Sequence, residues 1–307
     1  MTFYRKEYQD KDYLRISNFL KKTYKNLPQQ QNWFIDRWNF CRYFAQESHD
    51  TFTTWPKTVG LWVDNQNEII AIVNSEGEDK GEAFFQFGVK EYPDGLLEAM
   101  MDFAEEKLCI IDANEYYINL RVNKDAQVIK DIIRKRQYHI EGWKETTCVL
   151  DLHNEFKVEL PDGFAVKDAN EINSNQQALA HGRAFGNTDS DNPERLKERQ
   201  RAYTSLRNAP DYRTDLDLAI LDKNNEIASF TTIWYDTDNQ IGILEPVGTI
   251  PKYRRKGFGK TVIYEGVNRI KKLGAKKMYV GSNQQFYHTI GFSTAFEKDI
   301  WQKRWKV

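Results

Sequence analysis

Val247-Gly-Thr-Ile-Pro-Lys-Tyr-Arg-Arg-Lys-Gly-Phe-Gly-Lys260 leaves an apolar stretch, passes through a basic, glycine-punctuated turn and enters a helical pattern over residues 261–273. Gly257 and Gly259 permit positive φ and put no Cβ in the way, so successive backbone N–H groups can converge on one anion at a helix N-terminus. Arg254, Arg255, Lys256 and Lys260 bring positive charge to the same turn. The segment reads as a pyrophosphate cradle between a strand and a helix.

Working outward, 307 residues are long for one core and comfortable for two. With 44 basic and 45 acidic side chains the formal charge is −1, so no global field recruits nucleic acid or an anionic membrane. The absence of a long apolar run and of a signal-like N-terminus sets the expectation of a cytoplasmic protein with no membrane partner. Cys41, Cys109 and Cys148 are an odd, widely spaced set without a CxxC pair, which fits neither a disulfide framework nor a zinc site, and no metal is expected. Trp33, Trp38, Trp55, Trp62 and Trp143 are read as core rings before pocket rings.

The chain repeats itself. Leu61-Trp-Val-Asp-Asn-Gln-Asn-Glu-Ile-Ile-Ala-Ile72 lies against Ala219-Ile-Leu-Asp-Lys-Asn-Asn-Glu-Ile-Ala-Ser-Phe230 as a second strand–turn–strand hairpin, with Glu68 and Glu226 158 positions apart. The same offset carries Pro93 onto Pro251. In each half the hairpin is followed by a strand (83–89; 242–249), a long helix (96–108; 259–273), a strand (116–122; 277–280), a shorter helix and a closing strand (140–152; 293–305). The expectation is an α/β chain of two tandem domains, 1–155 and 156–307, each a mixed sheet with helices on both faces, joined near the turn Leu160-Pro-Asp-Gly163. Subtracting 158 from Arg254–Gly259 gives Leu96-Leu-Glu-Ala-Met-Met101, without the glycines or the charge, so only the second half is expected to hold a phosphate.

Arg254-Arg-Lys-Gly-Phe-Gly259, preceded by a strand and followed by a helix, resembles motif A (Arg-x-x-Gly-x-Gly) of the GNAT superfamily of acyl-CoA-dependent N-acyltransferases. A Walker A loop would need a glycine where Arg254 stands, and the dinucleotide fingerprint lacks its third glycine. Downstream, Tyr287-His-Thr-Ile-Gly-Phe292 is similar to the Tyr-x-x-x-Gly-Phe of GNAT motif B. The resemblance implies largely antiparallel sheets splayed near their centre, with pantetheine in the gap. It also implies that Val247, Gly248 and Thr249 bond pantetheine, that Arg254, Arg255, Lys256, Gly257, Phe258, Gly259, Lys260 and Thr261 hold the pyrophosphate, and that the Tyr287 phenol protonates the leaving thiolate. Asn283 is carried over as a CoA contact, although it stands closer to Tyr287 than the family's asparagine. The first half looks like a degenerate copy, with Gly142-Trp143 set against Gly291-Phe292.

Glu245 is the candidate base. Alternation puts Ile243, Glu245 and Val247 on one strand face, and a carboxylate inside Ile-Gly-Ile-Leu-Glu-Pro-Val is costly to bury without purpose, while the 158 offset finds Phe87 at its place. A strand-end glutamate paired with a lysine is the alternative, and Pro246 marks a bulge or the splay. His288 is expected to point away from the chemistry. The acidic run Asn187-Thr-Asp-Ser-Asp-Asn-Pro-Glu194 favours a cationic acceptor, whereas Arg183, Arg195, Arg199 and Arg201 favour a carboxylated one. The expected activity is transfer of acetyl from acetyl-CoA to the primary amine of a small molecule or peptide by direct attack, in a monomer or homodimer. A non-catalytic acyl-CoA-binding sensor is the alternative.

Overall fold

The computed structural model describes residues 1–77, 80–186 and 192–307. In chain order these form β1 (Phe3–Glu7), α1 (Tyr13–Asn26), α2 (Ile35–Asn39), α3 (Gln46–His49), β2 (Gly60–Asp64), β3 (Ile69–Asn74), β4 (Glu82–Phe87), α4 (Leu96–Phe103), β5 (Ile110–Asp112), β6 (Glu115–Asn123), α5 (Gln127–Lys135) and β7 (His139–Asp151). There follow β8 (Ala165–Asp168), α6 (Ser174–Ala184), α7 (Pro193–Leu206), β9 (Asp217–Leu221), β10 (Ile227–Asp236), β11 (Ile241–Thr249), α8 (Phe258–Lys272), β12 (Lys277–Val280), α9 (Gln285–Thr289) and β13 (Ser293–Lys306).

Contacts divide the chain into two units, one of residues 1–41, 51–146 and 296–307, the other of 42–50 and 147–295. In the first, the sheet order is β1-β2-β3-β4-β6-β13, and in the second β8-β9-β10-β11-β12-β7. All these pairs are antiparallel except β4–β6 and β11–β12. The closing strands do not stay with the half that encodes them. Lys298 to Lys306 of β13 pair with Asn123 to Glu115 of β6 in the first unit, and Cys148 to Asp151 of β7 pair with Val280 to Lys277 of β12 in the second.

The duplication reaches into the hydrogen bonds of the hairpin turns. Asp64 Oδ1 accepts from the amides of Gln66 and Glu68, both at 2.9 Å, and Asp222 Oδ1 from those of Asn224 and Glu226 at 2.8 and 2.9 Å. Asn67 and Asn225 close the two turns at φ 64° and 60°. Beyond the hairpin the fixed offset of 158 fails, because the copies differ in loop length. The parallel strands last pair at Phe84–Arg121 and at Leu244–Val280, and the following helices are capped by Gly95 (φ 80°) and Gly257 (φ 84°). Ala99 N bonds to Gly95 O and Thr261 N to Gly257 O, each at 3.0 Å. The counterpart of the basic turn is therefore not residues 96–101 but Tyr92-Pro-Asp-Gly-Leu-Leu-Glu98, which keeps the capping glycine, has Leu97 for Gly259, and is acidic where the second copy is basic.

A second realignment concerns the end of the short helix. Gly291 (φ 105°) and Phe292 bond back to His288 O and Tyr287 O, and Gln137 (φ 66°) and Tyr138 bond in the same way to Arg134 O and Ile133 O. Gly142-Trp143 instead lies within β7, with Trp143 48% exposed, so the residue matching Tyr287 is the buried Ile133. Trp33, Trp38, Trp55 and Trp62 are core, as their apolar setting led one to expect.

The second unit's core places the site. α8 buries Phe258, Val262, Gly266 and Ile270 in 4-residue steps, the stripe of a helix lying on a sheet. A Cβ on Gly266 would stand 2.1 Å from Ile233 Cδ1, so the missing side chain sets how closely α8 approaches β10. The Asp222 turn also receives the Tyr253 hydroxyl at 2.7 Å. Replacing Asp222 by Ala removes three bonds, so the unfolding free energy should fall by about 1–2 kcal/mol, and by less for Asp64→Ala, which loses only the two turn bonds. Equal effects in thermal unfolding would contradict this account of the turn.

Candidate functional site

β11 is paired with β12 only from Ile241 to Leu244. At that point Glu245 and Pro246 follow across a cis peptide bond, and the register with β10 slips between Thr231 and Ile233. Residues 247–249 stay paired with β10 on one side, Val247 with Thr231, Gly248 with Phe230 and Thr249 with Ser229. Their other edge faces the parting of the two strands. Trp234 Nε1 donates to Glu245 O at 3.0 Å and Ser229 Oγ to Gly248 O at 2.9 Å, which fixes the strand as it leaves its partner. The Glu245 side chain is exposed.

Past β11, the turn at 254–257 ends in Gly257, whose missing side chain leaves open space within 4 Å. The amides of Phe258, Gly259 and Lys260 precede the first helical bond of α8, from Thr261 N to Gly257 O, and so have no carbonyl of the helix to meet. A helix of 15 residues adds its dipole at that end. Gly259 keeps the entrance narrow, since a Cβ there would stand 3.3 Å from both Phe286 Cζ and Thr249 Oγ1.

The basic side chains divide in their roles. Arg254 turns inward, its Nε donating to Thr249 O at 3.1 Å and its Nη2 to Ala184 O at 2.6 Å, and so ties the turn to β11 and to the end of α6. Thr261 Oγ1 donates to Glu159 O at 3.1 Å, and Phe258 is buried against Phe164 and Tyr253. Arg255, Lys256 and Lys260 are exposed around the free amides, with Lys256 Nζ 5.8 Å from the Tyr253 ring centre and Lys260 Nζ 5.2 Å from that of Tyr264.

Tyr287 stands on α9, 7% exposed, between Phe286 and Phe292. Its hydroxyl has no hydrogen bond among the described residues. Burial, and then the charge of Glu245, push its pKa well up, so the phenol keeps its proton through neutral pH and feels that carboxylate. Asn283 Oδ1 lies 2.7 Å from His288 Nε2, and His288 Nδ1 lies 3.2 Å from Phe292 O. His288 is thus held on Asn283 and the backbone, away from the Tyr287 hydroxyl.

Three features were not legible beforehand. Phe286 is 38% exposed at the narrow entrance, and its only sequence signal is adjacency to Tyr287. Trp234 holds the strand at Glu245 from β10. On α6, His181 packs against Phe185, Tyr203 and Phe230 with ring centres 4.6, 5.8 and 6.2 Å away, and Phe230 fills the space beside Gly248. No motif marks these side chains, because the tertiary packing of α6, α9 and β10 places them rather than local sequence. Of the acidic run, residues 187–191 lie outside the described residues. Among the described residues no cluster of three or more His, Cys, Asp or Glu is placed to hold a metal, and no helix is long and apolar enough to cross a membrane.

A mixed sheet that parts at its parallel pair, beside a glycine-capped helix N-terminus, is the fold of the GNAT class. Residues 182–292 match the family model of the Acetyltransferase (GNAT) family. No curated protein matches the sequence. Among solved structures the chain is similar to a GCN5-related N-acetyltransferase from Sphaerobacter thermophilus, at 12% identity over 99% of this chain and 96% of that one, with a TM-score of 0.64. It is also similar to a tandem GNAT protein from the clavulanic acid biosynthesis pathway, at 11% identity over 99% and 98% of the two chains, with a TM-score of 0.69. At these identities the likeness is one of fold, and it extends over both halves.

Burial, aided by the Arg199 charge, pushes the His181 pKa down to about 4. An unfolded histidine titrates near 6.5, so between these values the unfolded chain binds the extra proton and the folded one does not. The stability contributed by neutral His181 is complete above pH 6.5 and falls by about 3 kcal/mol as pH drops to 4. The thermal midpoint of His181→Phe should therefore decline less between pH 7 and 4.5 than that of the wild type. Parallel declines would show that His181 is not held neutral.

Proposed function

We propose that the protein is an acyl-CoA-dependent N-acyltransferase that moves acetyl from acetyl-CoA to a primary amine, with the chemistry confined to the second copy, 156–307. The observation that carries the reading is the parting of β11 from β12 after Leu244–Val280, next to the glycine-capped N-terminus of α8. The fit to CoA rests on the free first-turn amides of α8, the open space at Gly257 and the exposed Arg255, Lys256 and Lys260. When bound, the CoA thioester supplies the activated acyl group.

The chain's own groups then bind, orient and move protons. The amides at 258–260 and the three basic side chains take the diphosphate, with Arg254 and Thr261 shaping the turn from within and Asn283 contributing at the strand end. Val247, Gly248 and Thr249 bond the pantetheine arm, and a backbone N–H there polarises the thioester carbonyl. Glu245 takes a proton from the ammonium of the acceptor, directly or through water, and the freed amine forms the new C–N bond. As the C–S bond breaks, the Tyr287 hydroxyl gives its proton to the thiolate, and the second proton shed by the nitrogen of the new C–N bond restores the phenol, directly or through water. The products are the amide, free CoA thiol and one proton.

The first copy keeps the capping glycine, Gly95, but has Asp94, Leu97 and Glu98 for Lys256, Gly259 and Lys260 and Ile133 for Tyr287. The acceptor is a small-molecule or peptide amine. The expected enzyme is cytoplasmic, a monomer or homodimer, and needs no metal, nucleic acid or membrane.

Tyr287→Phe should lower kcat about 10²-fold and leave KM for acetyl-CoA unchanged, in an assay of free thiol release over a panel of amines. Full turnover in that variant across pH 6–10 removes the acid role. Gly257→Glu should abolish the acetyl-CoA-induced rise in thermal midpoint by placing a strained, negative side chain at the cradle. An undiminished rise places the cofactor elsewhere, and saturable CoA binding without thiol release from any amine marks a binding protein.

A further inference from the structure

The first unit contains a smaller opening of a different chemistry. Where β4 and β6 part after Phe84–Arg121, a cavity of about 20 Å³ is lined by Phe85, Phe87, Gln30, Asn123, Arg121 and Lys298. That volume leaves room for a single small occupant. No carboxylate lines it.

Two cationic donors there are left over. Lys298, on β13, is 7% exposed, and its ammonium has neither a hydrogen bond nor an ion pair among the described residues. At the next residue of β13, Asp299 pairs with Lys130 of α5 at 2.7 Å, so the contrast is local. Arg121 gives Nη2 to Glu82 at 2.6 Å, but its Nη1 is buried without a hydrogen bond. The neighbouring carboxylates are already committed. Glu76 and Glu145 hold Arg37 at 2.7 and 2.8 Å, and Glu145 also lies 3.5 Å from Arg121 Nε. The side-chain oxygens of Gln30 and Asn123 accept from the Tyr92 hydroxyl and the Asp125 amide.

Burial pushes the Lys298 pKa down to about 8, against the pull of Glu145, which leaves the amine largely charged at neutral pH. A largely buried charge without a protein acceptor is unfavourable, and an anion in the cavity relieves it. The phenyl rings of Phe85 and Phe87 limit the occupant to a small, weakly hydrated one.

We propose that this cavity is an anion site that takes one small monovalent anion, a halide or a carboxylate of the size of formate, between Lys298 Nζ and Arg121 Nη1. The site stabilises the first unit and is independent of acyl transfer.

The test is thermal unfolding of the full chain at constant ionic strength, with sodium gluconate replaced stepwise by sodium chloride in one arm and sodium formate in another. The wild-type midpoint should rise by a few degrees and saturate in at least one arm, which names the anion, and Lys298→Met should lose that response while keeping its response to acetyl-CoA. No rise in the wild type in either arm, or equal rises in wild type and variant, overturns the proposal. Should Lys298→Met fail to fold, crystals of the wild type grown with sodium bromide give the answer. An anomalous peak between Lys298 and Arg121 supports the site, and none there overturns it.

Discussion

The second unit depends on one interruption: β11 stops bonding to β12 after Leu244 while it goes on bonding to β10. Backbone polar groups that lose a ladder partner must be satisfied by water, a side chain or a ligand. Here Trp234 and Ser229 satisfy the carbonyls of Glu245 and Gly248, and the turn after β11 is tied back through Arg254 to Thr249 and Ala184. These bonds hold the strand apart from its neighbour without filling the space between them. The helix that follows starts with a glycine cap, so its first amides open toward the same space.

The first unit meets the same interruption, after Phe84 and Arg121, and fills all but the small cavity beside Lys298. Arg37 and Arg121 stack on Phe84 with their guanidinium carbons 4.7 and 4.9 Å from its ring centre, and Glu76, Glu82 and Glu145 pair with them. Phe85 follows the last pair as Glu245 follows it in the second copy. One plan thus yields a gap plugged by aromatic rings and ion pairs and another left open beside a basic turn. Paired buried charges of this sort gain little net stability over apolar packing, but removing one partner is costly, which makes the plug all-or-none.

Much of the fold was legible because its signals are local. The hairpins, the turn at 254–260 and the helix after it each follow from a few neighbouring residues, and α8 begins at Phe258, one residue before the helix read from the sequence. What was not legible is set by pairing between distant segments. A constant offset of 158 aligned the hairpins but put the first copy's counterpart of the basic turn four residues too late, since loop lengths leave no periodic trace. It likewise set Gly142-Trp143 against Gly291-Phe292, when the αL residue and aromatic that end the helix are Gln137 and Tyr138. Nor does the sequence of β13 say that its partner is β6. The motif residues of the site were readable in type, yet not the inward turn of Arg254, which depends on a carbonyl 70 positions away.

The central claim is that the open gap and the free helix amides of the second copy form the CoA site, and that the first copy has none. Hydrogen–deuterium exchange of the full chain with and without CoA tests it most directly. The account predicts slowed exchange in peptides covering 245–261 and 283–288 and no change over 82–98 or 127–138. Protection over 82–98, or no CoA-dependent protection at 245–261, would contradict it.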